Sequence, residues 1–178
     1  MDHHGTPKNP VRETDQKRSV LHLHVQPHFG VVSDKMDASG QLDWKAPSGS
    51  WTILRIGHTT TGKTNHPAPT SGLGLECDKL DKAALDAHFE AFIGALLREI
   101  GPRLQSPEAG WNMLHIDSWE MGAANWTAAF RDEFRRRRGY DPLRYLPAVT
   151  GRVVDSLETS ERFLWDLRQT AHELVIAN

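Results

Sequence analysis

The chain has 178 residues, with 21 basic against 23 acidic side chains and a formal charge of -2. It has room for about one domain with a real core, and falls short of the roughly 250 residues of a complete eight-stranded α/β barrel. The near balance of charge gives no field that recommends nucleic acid or an anionic membrane, no apolar run reaches the ~18 residues of a membrane span, and the lone Cys77 excludes an internal disulfide and a multi-cysteine metal cage.

Residues 1–19 are polar and proline-bearing and read as a loosely attached lead-in without the apolar stretch of a secretory signal. From 20 to about 70 the pattern is β-rich. Val20–Val25 alternates, Gly30–Ser33 is short and β-branched, and Trp51–Ile56 alternates again, with turn signals at Asp37–Gly40 and Pro47–Gly49. Asn65–Gly74, dense in proline and glycine, reads as a linker or ordered loop.

Residues 71–178 read as helical apart from one run. Leu85, Phe89, Phe92, Ile93, Leu96, Leu97 and Ile100 share one stripe of a helical period, with Asp81 as N-cap and Gly101-Pro102 as the stop. A second helix begins near Thr127, buries Phe130 and Phe134 and ends at Gly139, after which Asp141-Pro142 opens a short turn carrying Leu143 and Leu146. A third puts Phe163, Leu164, Leu167, Ala171, Leu174 and Val175 on one face. Arg135–Arg138 reads as a solvated helix end, since consecutive helical residues spread over all faces and cations are favoured there.

The exceptional run is Trp111–Glu120, where an apolar, strand-like stretch ends in carboxylates and tryptophans. Residues just past the carboxyl end of a parallel strand face the ligand crevice of an α/β fold, so Asp117 and Glu120 are the candidate catalytic groups. Apolar rings beside a carboxyl disfavour its charged form, as a general acid working near neutral pH requires. Asp117 either tunes that acid, contacts a ligand hydroxyl or caps the next turn, and His115 either lines the same pocket or is an interior histidine. Glu76 and Asp78 bracket Cys77 after a glycine-rich approach, a place for hard oxygen ligands, although Asp78 also competes with Asp81 for the helix cap. Cys77 itself reads as a small buried apolar residue. Trp119 is the best of the tryptophans for stacking on a ligand's apolar face, against core packing as the commoner fate. Asn125-Trp126-Thr127 forms a glycosylation pattern, with capping or chance as the plainer account.

Gly57–Thr64 fits the phosphate-loop pattern at every fixed position and follows a strand. A phosphate loop must open directly into a helix whose amides hold the anion, and Pro67, Pro69, Gly72 and Gly74 forbid that here. A nucleotide hydrolase is therefore the minor alternative.

Several blocks in one order, Phe29–Met36, Trp51–Arg55, Gly74–Leu80, His115–Glu120, Asn125–Thr127, Arg137–Pro142 and Ser160–Arg168, resemble glycoside hydrolase family 106, the α-L-rhamnosidases. The resemblance implies an α/β class: part of a (β/α)8 TIM-like barrel behind an N-terminal β-rich unit, inverting hydrolysis of terminal α-L-rhamnose from a rhamnose-containing glycan or glycoside, and calcium near the sugar hydroxyls. Under it Glu120 is the general acid, Asp117 its companion, and His115, Trp119, Glu76 and Asn125 are sugar contacts, with Asp78 a candidate calcium ligand. The family's base would lie beyond Asn178, so the chain is expected to be incomplete and inactive alone, its parent secreted or periplasmic and the rest of the barrel its missing companion. A noncatalytic carbohydrate-binding remnant is the alternative.

Overall fold

The computed structural model describes residues 20–25, 28–101, 113–115 and 122–178. Strands β1 (Val20–Val25), β2 (His28–Val31) and β3 (Thr52–Ile56) form one antiparallel sheet in the order β2-β1-β3. The register sets His22 of β1 opposite Val31 on one side and Leu54 on the other. Alternation along β3 leaves Thr52, Ile53 and Arg55 exposed while Leu54 and Ile56 are half-buried, and Ile56 packs against the helical core. One face of the small sheet thus joins the helices.

Between β2 and β3 the chain builds a satellite cluster. Val32 is buried beneath Met36, Leu42, Trp44 and Trp51. The two indoles meet edge to face at 5.0 Å, and the Trp51 indole N–H donates to the Pro47 carbonyl at 2.9 Å, which satisfies the ring's one polar group. The Asp37–Gly40 turn forms as its residues suggest: Asp37 accepts from the Ser39 hydroxyl at 2.7 Å and the Gln41 amide at 2.9 Å, and those bonds hold its carboxyl below the ordinary carboxylate range.

The first helical segment differs from the uniform helix its periodicity suggests. It consists of α1 (Lys82–Phe89), a π-helical turn over Glu90–Gly94 and α2 (Ala95–Ile100). Asp81 caps it, accepting from the Ala83 amide at 2.9 Å. Gly94, in this wider turn, leaves room for the Glu90 carboxylate, which a side chain there would meet and which is held by Arg98 at 2.9 Å. The apolar stripe on this helix is not buried: Phe92 is 61% exposed and Leu96 39%.

The main core lies in the C-terminal helices. In α3 (Phe130–Arg138) Phe130 and Phe134 are fully buried, one helical turn apart, and Gly139 ends the helix with φ +80, the left-handed conformation that glycine adopts without a Cβ penalty. The turn expected after Asp141 is longer than its residues suggest, a run of 3-10 geometry over Pro142–Thr150 that buries Leu143, Leu146 and Ala148. Asp141 starts it by accepting from the Leu143 amide at 3.0 Å. Helix α4 (Leu157–Ala177) begins at Ser156, which accepts from the Thr159 amide at 3.0 Å, and closes the core with Phe163 and Leu174. Leu164, Leu167, Ala171 and Val175 flank them on the same face. Phe134 touches Phe163 and Tyr140, and Tyr145 joins the two through ring contacts of 5.3 and 5.7 Å.

Of the strand-like run expected from Trp111 to Asp117, only Met113, Leu114 and His115 lie within the described residues, where they are exposed and carry no strand. Arg135–Arg138 is not simply solvated: the Arg137 and Arg138 side chains are each only 17% exposed and reach across to α4. Among the described residues no helix is long and apolar enough to cross a membrane.

Candidate functional site

Of the candidate site residues, Glu76 and Asp78 stand on an arm that the structure describes throughout. Asn65 ties this arm together with both faces of its amide. Its side-chain N–H donates to the Gly72 carbonyl at 3.1 Å, its side-chain oxygen accepts from the Gly74 amide at 2.8 Å, and its own backbone amide donates to the Gly74 carbonyl at 3.0 Å. Thr64 then bridges Leu75, and the Glu76 amide donates to the Lys63 carbonyl at 3.0 Å. The segment is an ordered loop, and the phosphate-loop reading fails on it: Lys63 and Thr64 enter this bridge, and the chain beyond them runs to a short 3-10 turn at Thr70–Gly72 rather than a helix.

The arm delivers an exposed Glu76, a half-buried Cys77 and a half-buried Asp78 directly before buried Leu80 and the capping Asp81. One Glu76 oxygen accepts from the Cys77 amide at 3.2 Å and lies 3.6 Å from its thiol. Burial, then the neighbouring Glu76 charge, pushes the Cys77 thiol above its ordinary pKa, so it stays protonated and a poor nucleophile. Cys77 is thus less deeply buried than expected but as inert. Asp78 accepts from the Leu80 amide at 2.9 Å, while Asp81 takes the cap of α1, which resolves the competition between them.

For calcium, Asp78 offers one oxygen already engaged by an amide and one other, and among the described residues no group of three or more His, Cys, Asp or Glu side chains converges. Calcium takes six to eight oxygens, so the described residues do not by themselves make its cage.

Glu120, Asp117 and Trp119 lie outside the described residues, as does Trp111. His115 and Asn125 are exposed among the described residues. Thr127 is buried and its carbonyl accepts from the Phe130 amide at 3.1 Å, leading the chain into α3. Trp126 is half-buried with its ring 4.8 Å from that of Phe130, which marks it as a core residue. The structure therefore defines the Glu76–Asp78 arm and leaves His115 and Asn125 open to solvent. Asn65 is the residue that reasoning from the sequence missed; its signal was an asparagine placed before two glycines whose backbone it could hold.

The sequence model of the alpha-L-rhamnosidase family matches residues 10–178. A Formosa agariphila protein, provisionally described as a beta-glucuronidase, is 47% identical over 169 residues, covering 95% of this chain and 14% of the relative. The solved structure of a rhamnosidase from Novosphingobium sp. PP1Y is similar with a TM-score of 0.70 and 42% identity, over 83% of this chain and 14% of that one. The chain spans about one seventh of the length of either relative. With a family match running through nearly all of its residues, this mixed helix and strand chain belongs to the alpha-L-rhamnosidase family of glycoside hydrolases, glycoside hydrolase family 106.

Proposed function

We propose that this chain is the acid-bearing part of an inverting α-L-rhamnosidase. The observation that carries the reading is the family match over residues 10–178, which takes in the whole His115–Thr127 block. Glu120, in its protonated form, gives its proton to the glycosidic oxygen as the bond to the anomeric carbon breaks. Water adds to that carbon from the opposite face and loses its proton to a second carboxylate, outside this chain, standing about 6.5–9.5 Å from the first. Asp117 sets the acid's proton affinity, and the exposed His115, Asn125 and Glu76, with Trp119, contact sugar hydroxyls and the apolar ring face. The helices from α1 to α4 are part of a (β/α)8 barrel completed by further polypeptide. Asp78 would supply one oxygen to a calcium ion only together with ligands from outside the described residues. Bound there, the ion would orient and polarise sugar hydroxyls. Lacking its base, the chain alone does not turn over substrate.

The test joins the chain to a C-terminal portion of the Novosphingobium rhamnosidase and compares Glu120 with Glu120→Gln on aryl α-L-rhamnoside and aryl β-glucuronide. Loss of rhamnoside turnover by at least about a hundredfold is expected for removal of a general acid. Unchanged turnover dismisses Glu120, and turnover of the glucuronide alone dismisses rhamnose.

A further inference from the structure

The arm that carries Glu76 is a short antiparallel ladder. The Glu76 amide donates to the Lys63 carbonyl at 3.0 Å, Thr64 and Leu75 form a bridge, and the Asn65 amide donates to the Gly74 carbonyl at 3.0 Å. Successive residues of extended chain point to opposite faces, so a slip of one position would turn the Glu76 side chain to the other side of the arm. Register is weakly specified where a strand is polar-sided or rich in glycine. This arm is of that kind: it contains Gly72 and Gly74, and with Leu73 55% and Leu75 61% exposed, apolar burial does not hold it.

Asn65 supplies the lock. Its side-chain oxygen accepts from the Gly74 amide at 2.8 Å, and its side-chain N–H donates to the Gly72 carbonyl at 3.1 Å. Both bonds need a donor and an acceptor on one short side chain; aspartate lacks the donor and alanine lacks both groups. We propose that Asn65 is a positioning residue for substrate: by pinning the pairing of residue 65 with residue 74, it aims the Glu76 carboxylate at a hydroxyl of the sugar. This role rests on Glu76 being a sugar contact, and Asn65 itself touches no substrate.

Two measurements test it. In the chain itself, hydrogen exchange at the Glu76 amide, followed by NMR, should quicken at least about fivefold in Asn65→Ala, since the bond to Lys63 opens with the register. Equal exchange overturns the positioning role, whatever Glu76 binds. In the joined enzyme, Asn65→Ala, Glu76→Gln and the double variant form a cycle on aryl α-L-rhamnoside. Asn65→Ala is expected to raise KM about fivefold with kcat within a few-fold, and to add less than about twofold in the Glu76→Gln background. A merely structural residue gives the same factor in both backgrounds, and that result overturns the proposal, as does an unmoved KM in Asn65→Ala. An unmoved KM in Glu76→Gln is a different failure: it removes Glu76 as a sugar contact, and the substrate role of Asn65 falls with it. Should the joined protein not turn over, the cycle is read as Kd for methyl α-L-rhamnoside by calorimetry, and absence of binding ends the sugar role of both residues.

Discussion

Arg137 and Glu173, 36 positions apart in the chain, meet at 3.0 Å, and the Arg138 guanidinium takes the other oxygen of the same carboxylate. The end of α3 is thereby fastened to α4 by one acidic group serving two cations. Arg137 also reaches Glu133 at 3.2 Å, and Arg138 donates to the Thr170 hydroxyl at 3.1 Å.

Replacing Glu173 by Gln leaves two largely covered guanidinium groups without their shared counter-charge. Because Glu173 is itself 35% exposed, water offsets part of the loss, and a cost of about 1 kcal/mol is expected in urea unfolding. Hydrogen bonding to Arg138 holds the Glu173 carboxyl below its ordinary 4.5, and Arg136 does the same for Glu133. A depressed carboxyl contributes stability that is present above 4.5 and is lost as pH falls through the lower folded value. The acid limb of the stability curve should therefore be shallower in Glu173→Gln. An unchanged limb would assign acid sensitivity elsewhere.

Tyr140 donates to Asp166 at 2.9 Å, and burial together with that bond raises its phenol well above the ordinary value of 10. The chain has two tyrosines, so alkaline absorbance titration should show one phenol resisting ionisation until the fold opens. A phenol raised in the folded state contributes stability below pH 10 that is lost as pH rises further. Tyr140→Phe removes the resistant step and leaves Asp166, whose side chain is 9% exposed, with Arg162 at 3.4 Å as its remaining charged partner. The expected cost is about 1–3 kcal/mol.

Gly139→Ala tests backbone conformation, because nothing beyond its chain neighbours lies within 4 Å of the added carbon while φ stays at +80. A loss of about 1 kcal/mol is expected, with Gly139→Asn losing less, since asparagine tolerates the left-handed region. Equal losses would point to a different helix ending.

Asn125 is exposed and makes no hydrogen bond among the described residues, so Asn125→Ala should leave the melting temperature unchanged. In the joined enzyme it should raise KM for the rhamnoside while kcat stays within a few-fold, the signature of a lost ground-state contact. A collapse in stability would reassign Asn125 to the fold.

Much of the helical half was legible in the sequence because its signals are local. Asp81 caps, Gly139 terminates, and the spacings of Phe130 with Phe134 and of Phe163 with Leu174 name the buried sides. The π turn at Glu90–Gly94 was not, since periodicity averages over one inserted residue. Nor was the tie from Arg137 and Arg138 to Glu173, because a run of like charges names no distant partner. Periodicity found the stripe on α1 and α2 but could not say that it stays exposed among the described residues. Of the candidate site, the order of Glu76, Cys77 and Asp78 was legible, while the loop that presents them depends on Asn65 meeting glycines seven and nine positions later.

That single amide has a consequence for the ageing of the protein. Asparagine is chemically labile, and its hydrolysis to aspartate exchanges a donor for an acceptor. At position 65 the new oxygen would confront the Gly72 carbonyl, so repulsion would replace the clasp and the arm would loosen at its base. A slow reaction at one side chain would then unfasten the segment that carries Glu76, and storage under mildly alkaline conditions would loosen this loop before it unfolded the helices.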